Sequence, residues 1–276
     1  MPSDRQLTDD VPLFEFHQGE GPLVISAPHV GTHIPDDIAV HMDGTGLAVG
    51  ETDFHVHRLF DFAPELGAST LWAAQSRYVI DLNRDPDGHS LYPGKFETPL
   101  CPLTDFDRNV IYHKDEEPSF DEVQRRITHY WRPYHAQLRA ALDRATARHG
   151  YALLIDAHSI RPMIPNLFEG RLPDLNFGTH DGRSCAPRLR TALDDWRQGQ
   201  SRFSHVVDGR FKGGFTTRHY GRPEAGIEAL QIEITQDSYL TLTPGAAPVY
   251  DAAIAAPLSL VLRPLVEALL EALARF

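Results

Sequence analysis

Apolar residues in this chain come in short runs, most of them bounded by Pro, Gly or Asp. The run Pro22-Leu23-Val24-Ile25-Ser26-Ala27 stops at Pro28 and predicts a buried strand. Val56, Leu59 and Phe60 have helical spacing, which predicts a helix over Phe54–Phe62, ended near Pro64 and Gly67. Ser69–Ala74 and Arg77–Leu82 read as two further strands. Residues 83–118 are rich in Pro, Gly and Asp and read as a long loop, and loops of that length are more often functional than idle. Ser119 and Glu122 have capping-box spacing. After them Val123, Ile127, Trp131, Tyr134, Leu138, Leu142 and Ala145 follow at steps of three and four, the clearest helix in the chain. Pro133 is expected to bend it and Gly150 to stop it. Tyr151–Ile155 and the alternating Leu230-Gln231-Ile232-Glu233-Ile234 read as strands. A weaker helix spans 184–196, and a helix or broken helix runs from Val249 to the end. Strands alternating with helices imply an α/β sheet with helices on both faces, and such sheets bind ligands beyond the carboxyl ends of their strands.

The 276 residues carry 26 Lys plus Arg against 38 Asp plus Glu, a net charge of −12, with 42% apolar residues. This is the composition of a globular protein, not of a disordered or fibrous one. The acidic balance argues against a general nucleic-acid-binding role, though a few arginines in a cleft still suffice for a small anion. Length alone admits one large domain or two small ones. With no repeat or low-complexity linker, the expectation is a single domain over 1–276. The start, MPSDRQLTDDVPLF, lacks the basic-then-apolar pattern of a signal peptide. The apolar stretch Ala252–Leu270 contains Pro257, Arg263, Pro264 and Glu267, so it reads as a core-packed helix and not as a membrane span. Cys101 and Cys185 are too few for a disulfide framework or a four-thiolate zinc site, and a cytoplasmic setting is the default expectation.

Four polar groups sit in or at the ends of the predicted strands: His29, the Asp81-Leu82-Asn83-Arg84-Asp85 stretch, Asp156-Ala157-His158-Ser159, and Glu233. Any one alone is ordinary, and 15 histidines make spacing coincidences expected. Together they suggest a shared cleft. A hydrolytic zinc site needs three nitrogen or carboxylate ligands and an open position. His29 and His158 are the best nitrogen donors, since each follows a buried strand that would hold it rigidly. A third ligand comes from Asp53 or Glu51, although acids at a helix start are at home there anyway. Gly31 and Pro35 argue against a helical His29/His33 pair, and His55 and His57 read as surface or packing residues. Arg77 and Arg84 bracket a predicted strand and either cap its edge or grip a carbonyl or carboxylate. The basic, Gly-rich segment 209–221 is either a plain hairpin loop or a substrate loop with Arg218 as anion clamp. Its adjacent glycines match no nucleotide-binding fingerprint.

Taken together, the residues His29, Asp53, Arg77-Tyr78-Val79-Ile80-Asp81-Leu82-Asn83-Arg84, Asp156-Ala157-His158-Ser159 and Gln231-Ile232-Glu233-Ile234 resemble the N-formylglutamate amidohydrolase (deformylase) family, from about Phe14 to Tyr239. The stretch 209–223 resembles the histidine-degradation branch of that family. More distantly, the Arg-Tyr…Asp-Leu-Asn-Arg string is similar to aspartoacylase and succinylglutamate desuccinylase. The resemblance implies a zinc-carboxypeptidase-like fold, a three-layer α/β sandwich with a mixed central sheet. It implies hydrolysis of N-formyl-L-glutamate to formate and L-glutamate by a metal-activated water. By position, His29, Asp53 and His158 match the ligands of one divalent ion, most simply Zn²⁺. Glu233 matches the general base, and Arg77 the arginine that polarises the scissile carbonyl. Asn83 and Arg84 match the pair that holds the substrate carboxylate, and Asp81 the carboxylate that orients the first histidine. Glutamate has two carboxylates, so a second cation is expected, Arg218 with Arg161 in reserve. The more distant relatives carry a carboxylate ligand three residues after the first histidine. Here that position is Thr32, so the third ligand comes from elsewhere. The implied partner is a small molecule, with no nucleic acid or membrane, on a monomer or small homo-oligomer. Two rival readings are a deacylase of another N-acyl amino acid or small peptide, and a non-catalytic carboxylate-binding protein on the same fold.

Overall fold

A computed structural model describes residues 11–91, 94 and 97–274. The N-terminal residues 1–10, four positions of the long loop and the last two residues of the C-terminal helical prediction lie outside them. Seven strands make one mixed sheet: β1 (Phe14–His17), β2 (Leu23–Ala27), β3 (Ser69–Ala73), β4 (Ala152–Ile160), β5 (Leu175–Gly178), β6 (His205–Val207) and β7 (Ile227–Thr235), in the order β1-β3-β2-β4-β7-β5-β6. The central pairs β3–β2, β2–β4 and β4–β7 are parallel, whereas β1 and β5 run antiparallel to β3 and β7. All nine residues of β4 and of β7 are buried. Parallel strands covered on both faces read as apolar runs, and both cores of the sequence prediction lie inside these two strands.

Two short helices, α1 (Asp36–Ala39) and α2 (Gly44–Leu47), precede the main helical layer. That layer is α3 (Phe120–Arg126), a π-helical turn (Ile127–Trp131) and α4 (Arg132–His149). The Ser119 hydroxyl accepts from Glu122 N at 3.3 Å, and Gly150 ends α4 at φ 80°. Pro133 does not end the helix, which runs without a break from α3 through the π-turn into α4. The irregularity falls just before it, as the π-turn. This layer covers the face carrying Val24, Leu154 and Ala229. The opposite face, with Ile25, Ile155 and Ile232, is covered by α5 (Pro187–Gly199) and α7 (Ala252–Ala274). By length and composition α7 is apolar enough to cross a bilayer. In this fold it buries Leu258, Leu262, Leu265 and Leu269 against the sheet.

The structure departs from the sequence prediction in places. Arg77–Leu82 is not a strand but a sequence of buried turns, beginning with Val79 N to Ser76 O at 2.9 Å. Its apolar run reflects burial beneath the helical layer, which periodicity does not distinguish from a sheet core. The helix predicted at Phe54–Phe62 shortens to a 3₁₀ turn, Val56–Phe60. The segment 209–221 is not all loop, since α6 (Phe215–Tyr220) lies in it. The short strands β1, β5 and β6 carry too few residues for alternation to register.

Candidate active site

On β4 the even-numbered residues, and on β7 the odd-numbered ones, share the α4 face. Near the strand starts this face is apolar, with Ala152 and Leu154 near Ile227 and Ala229. Further along it turns polar, pairing Asp156 with Gln231 and His158 with Glu233 in register. All four polar residues are buried. Neighbouring strands about 4.8 Å apart bring His158 and Glu233 side by side. His158 therefore lies inside its strand and not after it.

His29 follows β2 directly, where Pro28 ends the strand, and its carbonyl accepts from Asp53 N at 2.9 Å. The two imidazole rings lie 4.8 Å apart. His29 Nε2 is 2.7 Å from Asp81 Oδ1, and His158 Nε2 is 3.0 Å from Asp156 Oδ1. With each Nε2 engaged by a carboxylate, each Nδ1 is turned to Asp53 Oδ2, at 3.7 Å from His29 and 3.0 Å from His158. One donor atom from each of His29, Asp53 and His158 lies within 4.8 Å of the others, and all three residues are buried. An imidazole whose far nitrogen donates to a carboxylate presents the lone pair of the other, so the donor set fits a divalent cation. Two nitrogens and one oxygen also leave a coordination position open. Thr32 is exposed.

Glu51 is not part of this cluster. Its Oε1 accepts from Phe106 N at 3.3 Å and faces Arg161 at 3.5 Å, so it holds the long loop against the core. Burial, opposed by Arg77 and Arg161, pushes its carboxyl up to about 7.

Residues 77–84 supply the remaining polar wall. Arg77 Nη2 donates to Asp81 Oδ2 at 2.6 Å, and its guanidinium lies over the Phe106 ring. Asn83 Nδ2 is 2.8 Å from His158 Nε2 and 3.3 Å from Asp156 Oδ2, while its Oδ1 accepts from Thr216 N. Gly214 is required beside it, because a Cβ there would stand 2.3 Å from Asn83 Nδ2. Arg84 lies 3.8 Å from Asp81 and 3.4 Å from Glu97.

Electrostatics follow from burial of this charge cluster. Burial and then Arg77 push His29 below its usual value. Burial also opposes charge on His158, but Asp156 and Asp53 outweigh it and hold the imidazole well above its usual value. Burial would raise Asp81, yet His29 and Arg77 hold it well below the usual carboxylate range. Burial pushes Glu233 up to about 8, against the pull of His158. Four buried carboxylates, Asp53, Asp81, Asp156 and Glu233, thus crowd a small volume, a balance that a cation improves.

One cleft is lined by His29, Asp53, His158, Glu233, Arg77, Asp81, Asn83 and Arg84. It does not gather Arg218 or Arg161. Arg218 donates to Gly213 O and Leu91 O, each at 2.8 Å, and Arg161 pairs with Asp107 at 2.9 Å. The third arginine of the cleft wall is Arg210, which no sequence argument separated from its basic segment. Asp156 and Gln231 stood in the quoted strings without a role. Their signal was present: each lies two residues before a site residue on a buried strand, hence on the same face.

The sequence profile of N-formylglutamate amidohydrolase matches residues 21–240. N-formylglutamate deformylases of Pseudomonas putida and Pseudomonas aeruginosa are 44% and 45% identical over 258 residues, covering 94% of this chain and 96% of each relative. The crystal structure of N-formylglutamate amidohydrolase from Ralstonia eutropha JMP134 superposes with a TM-score of 0.75 at 28% identity, covering 94% of this chain and 98% of that one. With this fold, this cleft and these relatives, the chain belongs to the N-formylglutamate amidohydrolase family and is an amidohydrolase.

Proposed function

We propose that this enzyme hydrolyses N-formyl-L-glutamate to formate and L-glutamate, and that the whole chain acts as one catalytic domain. His29, Asp53 and His158 would hold one divalent ion, and this mixed nitrogen and oxygen set suits zinc. When bound, the ion supplies Lewis-acid activation of water and of the formyl carbonyl. Glu233 takes the proton of the attacking water as the O–C bond forms, then delivers it to the leaving nitrogen as the C–N bond breaks. Burial, which holds the Glu233 carboxyl above the usual carboxylate range, favours a group that can both take and return a proton. Arg77 donates to the carbonyl oxygen as negative charge develops there. Arg84 and Arg210 grip the two substrate carboxylates, and Asn83 keeps His158 and the α6 start in register with them. The observation that carries this reading is the convergence of three ligating atoms beside Glu233 in a cleft walled by three arginines.

A substrate panel tests it. The metal-replete enzyme should release formate from N-formyl-L-glutamate faster than it cleaves N-acetyl or N-succinyl amino acids. Chelation should abolish turnover, and one equivalent of zinc should restore it. Preference for a larger acyl group would make it a different deacylase. Stoichiometric zinc with no turnover on any acyl amino acid would make it a carboxylate-binding protein.

A further inference from the structure

Residues 77–84 carry Arg77, Asp81, Asn83 and Arg84, yet no strand among the described residues pairs with them. Buried carbonyls need donors, so each one in this segment has to be accounted for. Arg84 N donates to Asp81 O within the segment, and Val79 N to Ser76 O just before it; Phe215 N of α6 donates to Asn83 O, and the Tyr112 hydroxyl to Tyr78 O at 3.4 Å. Three others are taken by side chains of a single helical layer. Arg126 Nη1 donates to Val79 O at 3.0 Å, His135 Nε2 to Leu82 O at 2.8 Å, and Trp131 Nε1 to Arg84 O at 3.1 Å.

The spacing of these three donors explains the π-turn. Trp131 and His135 are four residues apart and stack at 3.8 Å, as neighbours on one α-helical face do. Arg126 and Trp131 are five apart, and in a regular α-helix such residues point about 140° away from each other. The π-turn over Ile127–Trp131 adds a residue to the turn and brings both to the same side. The extra residue is therefore what lets one helix address carbonyls at 79, 82 and 84 together.

His135 is built for this one task. A carbonyl can only accept, so Nε2 carries the hydrogen and Nδ1 accepts from Tyr220 OH at 2.9 Å. Burial pushes its pKa down to about 3, so the ring stays neutral and the tautomer fixed.

We propose that Trp131 and His135 are positioning residues for substrate recognition. They clamp the main chain on both sides of Asn83 and thereby set where Arg84 presents its guanidinium in the cleft. This rests on the reading of Arg84 as a carboxylate grip, and the test separates the two. Steady-state kinetics on zinc-replete full-length enzyme would compare Trp131→Phe, Arg84→Gln and the double variant on N-formyl-L-glutamate. Trp131→Phe keeps the aromatic stack and loses one donor. It should raise KM about three- to tenfold, with kcat within about twofold and zinc content unchanged. The double variant should be no worse than Arg84→Gln alone, because Trp131 acts through Arg84. His135→Phe should move KM in the same direction, and His135→Gln, which retains a donor, should recover part of it. If His135→Phe does not fold, the Trp131 cycle decides by itself. An unchanged KM in Arg84→Gln overturns the grip reading and removes the route proposed here. A raised KM in Arg84→Gln with none in Trp131→Phe, or fully additive effects in the double variant, overturns the positioning role alone.

Discussion

The two halves of the cleft are held in place by different means. His158 and Glu233 stand on β4 and β7, whose main chains pair over nine consecutive positions. Arg77, Asp81, Asn83 and Arg84 stand on turns, tethered by Arg126, Trp131 and His135 from a helix. On the strand half, position is a property of the backbone ladder, and a side-chain substitution removes chemistry without moving its neighbours. On the turn half, position is itself a property of side chains, so substitutions outside the cleft are expected to reach into it. The difference also assigns labour. On the roles proposed above, proton transfer and one metal ligand would fall to the strand half and carboxylate recognition to the turn half.

The largest effect expected is on the strand half. Glu233→Gln should lower kcat by about 10²–10⁴-fold, the usual contribution of general acid–base catalysis. KM and zinc content should stay near wild type, because β7 remains paired with β4. Retained turnover would remove Glu233 from the mechanism. A loss of zinc, measured by metal analysis, would show that the ladder does not insulate its side chains from one another.

A smaller effect is expected across the boundary between the halves. Asp81 accepts from Asn83 N at 2.9 Å and from Arg77, and it also engages His29 Nε2. Asp81→Asn should weaken metal affinity by about 10–100-fold, the range usual for losing a carboxylate behind a ligating histidine. Competition with a chromogenic chelator measures it. Because Asp81 also anchors the turn, KM should rise with the loss of metal affinity. A change in affinity with no change in KM would mean that the turns hold their shape without this anchor.

The same contrast governs what could be read from the amino-acid sequence. The strand half was legible: Tyr151–Ile155 overlaps β4 from Ala152 on, Leu230–Ile234 falls inside β7, and His29, His158 and Glu233 stood out as polar groups at apolar runs. Both strands are longer than predicted: β4 runs on through Asp156 and His158, which interrupt its apolar pattern while staying in the ladder, and β7 begins three residues earlier at Ile227 and ends one later at Thr235. The turn half was legible in its residues but not in its form. Tyr78-Val79-Ile80 is as apolar as a strand, and nothing local reveals that its carbonyls are served by side chains some 50 residues away in the chain. The bend expected at Pro133 was right about an irregularity and wrong about its kind, since a π-turn depends on which far residues the helix must meet. The basic, Gly-rich character of 209–221 points to Arg218 as an anion clamp; in the fold Arg218 donates to two backbone carbonyls, and Arg210 of the same segment lies on the cleft wall.

The smallest of these effects concerns the stability of the turn half in acid. His135 is buried between Trp131 and Tyr220, and its folded-state pKa lies near 3, below the ordinary value of 6.5. Between those values the unfolded chain takes up a proton that the folded protein refuses. Its contribution to stability is therefore fully present above pH 6.5 and is lost as the pH falls toward 3. By pH 5 the loss from this one group amounts to about 2 kcal/mol. His135→Gln cannot titrate, so its unfolding free energy, measured by denaturant titration at pH 7 and pH 5, should fall by about 2 kcal/mol less than that of the wild type. Equal slopes would mean that the imidazole gains its proton in the folded state. In that case Nδ1 would no longer accept from Tyr220 OH, while Nε2 would still donate to Leu82 O.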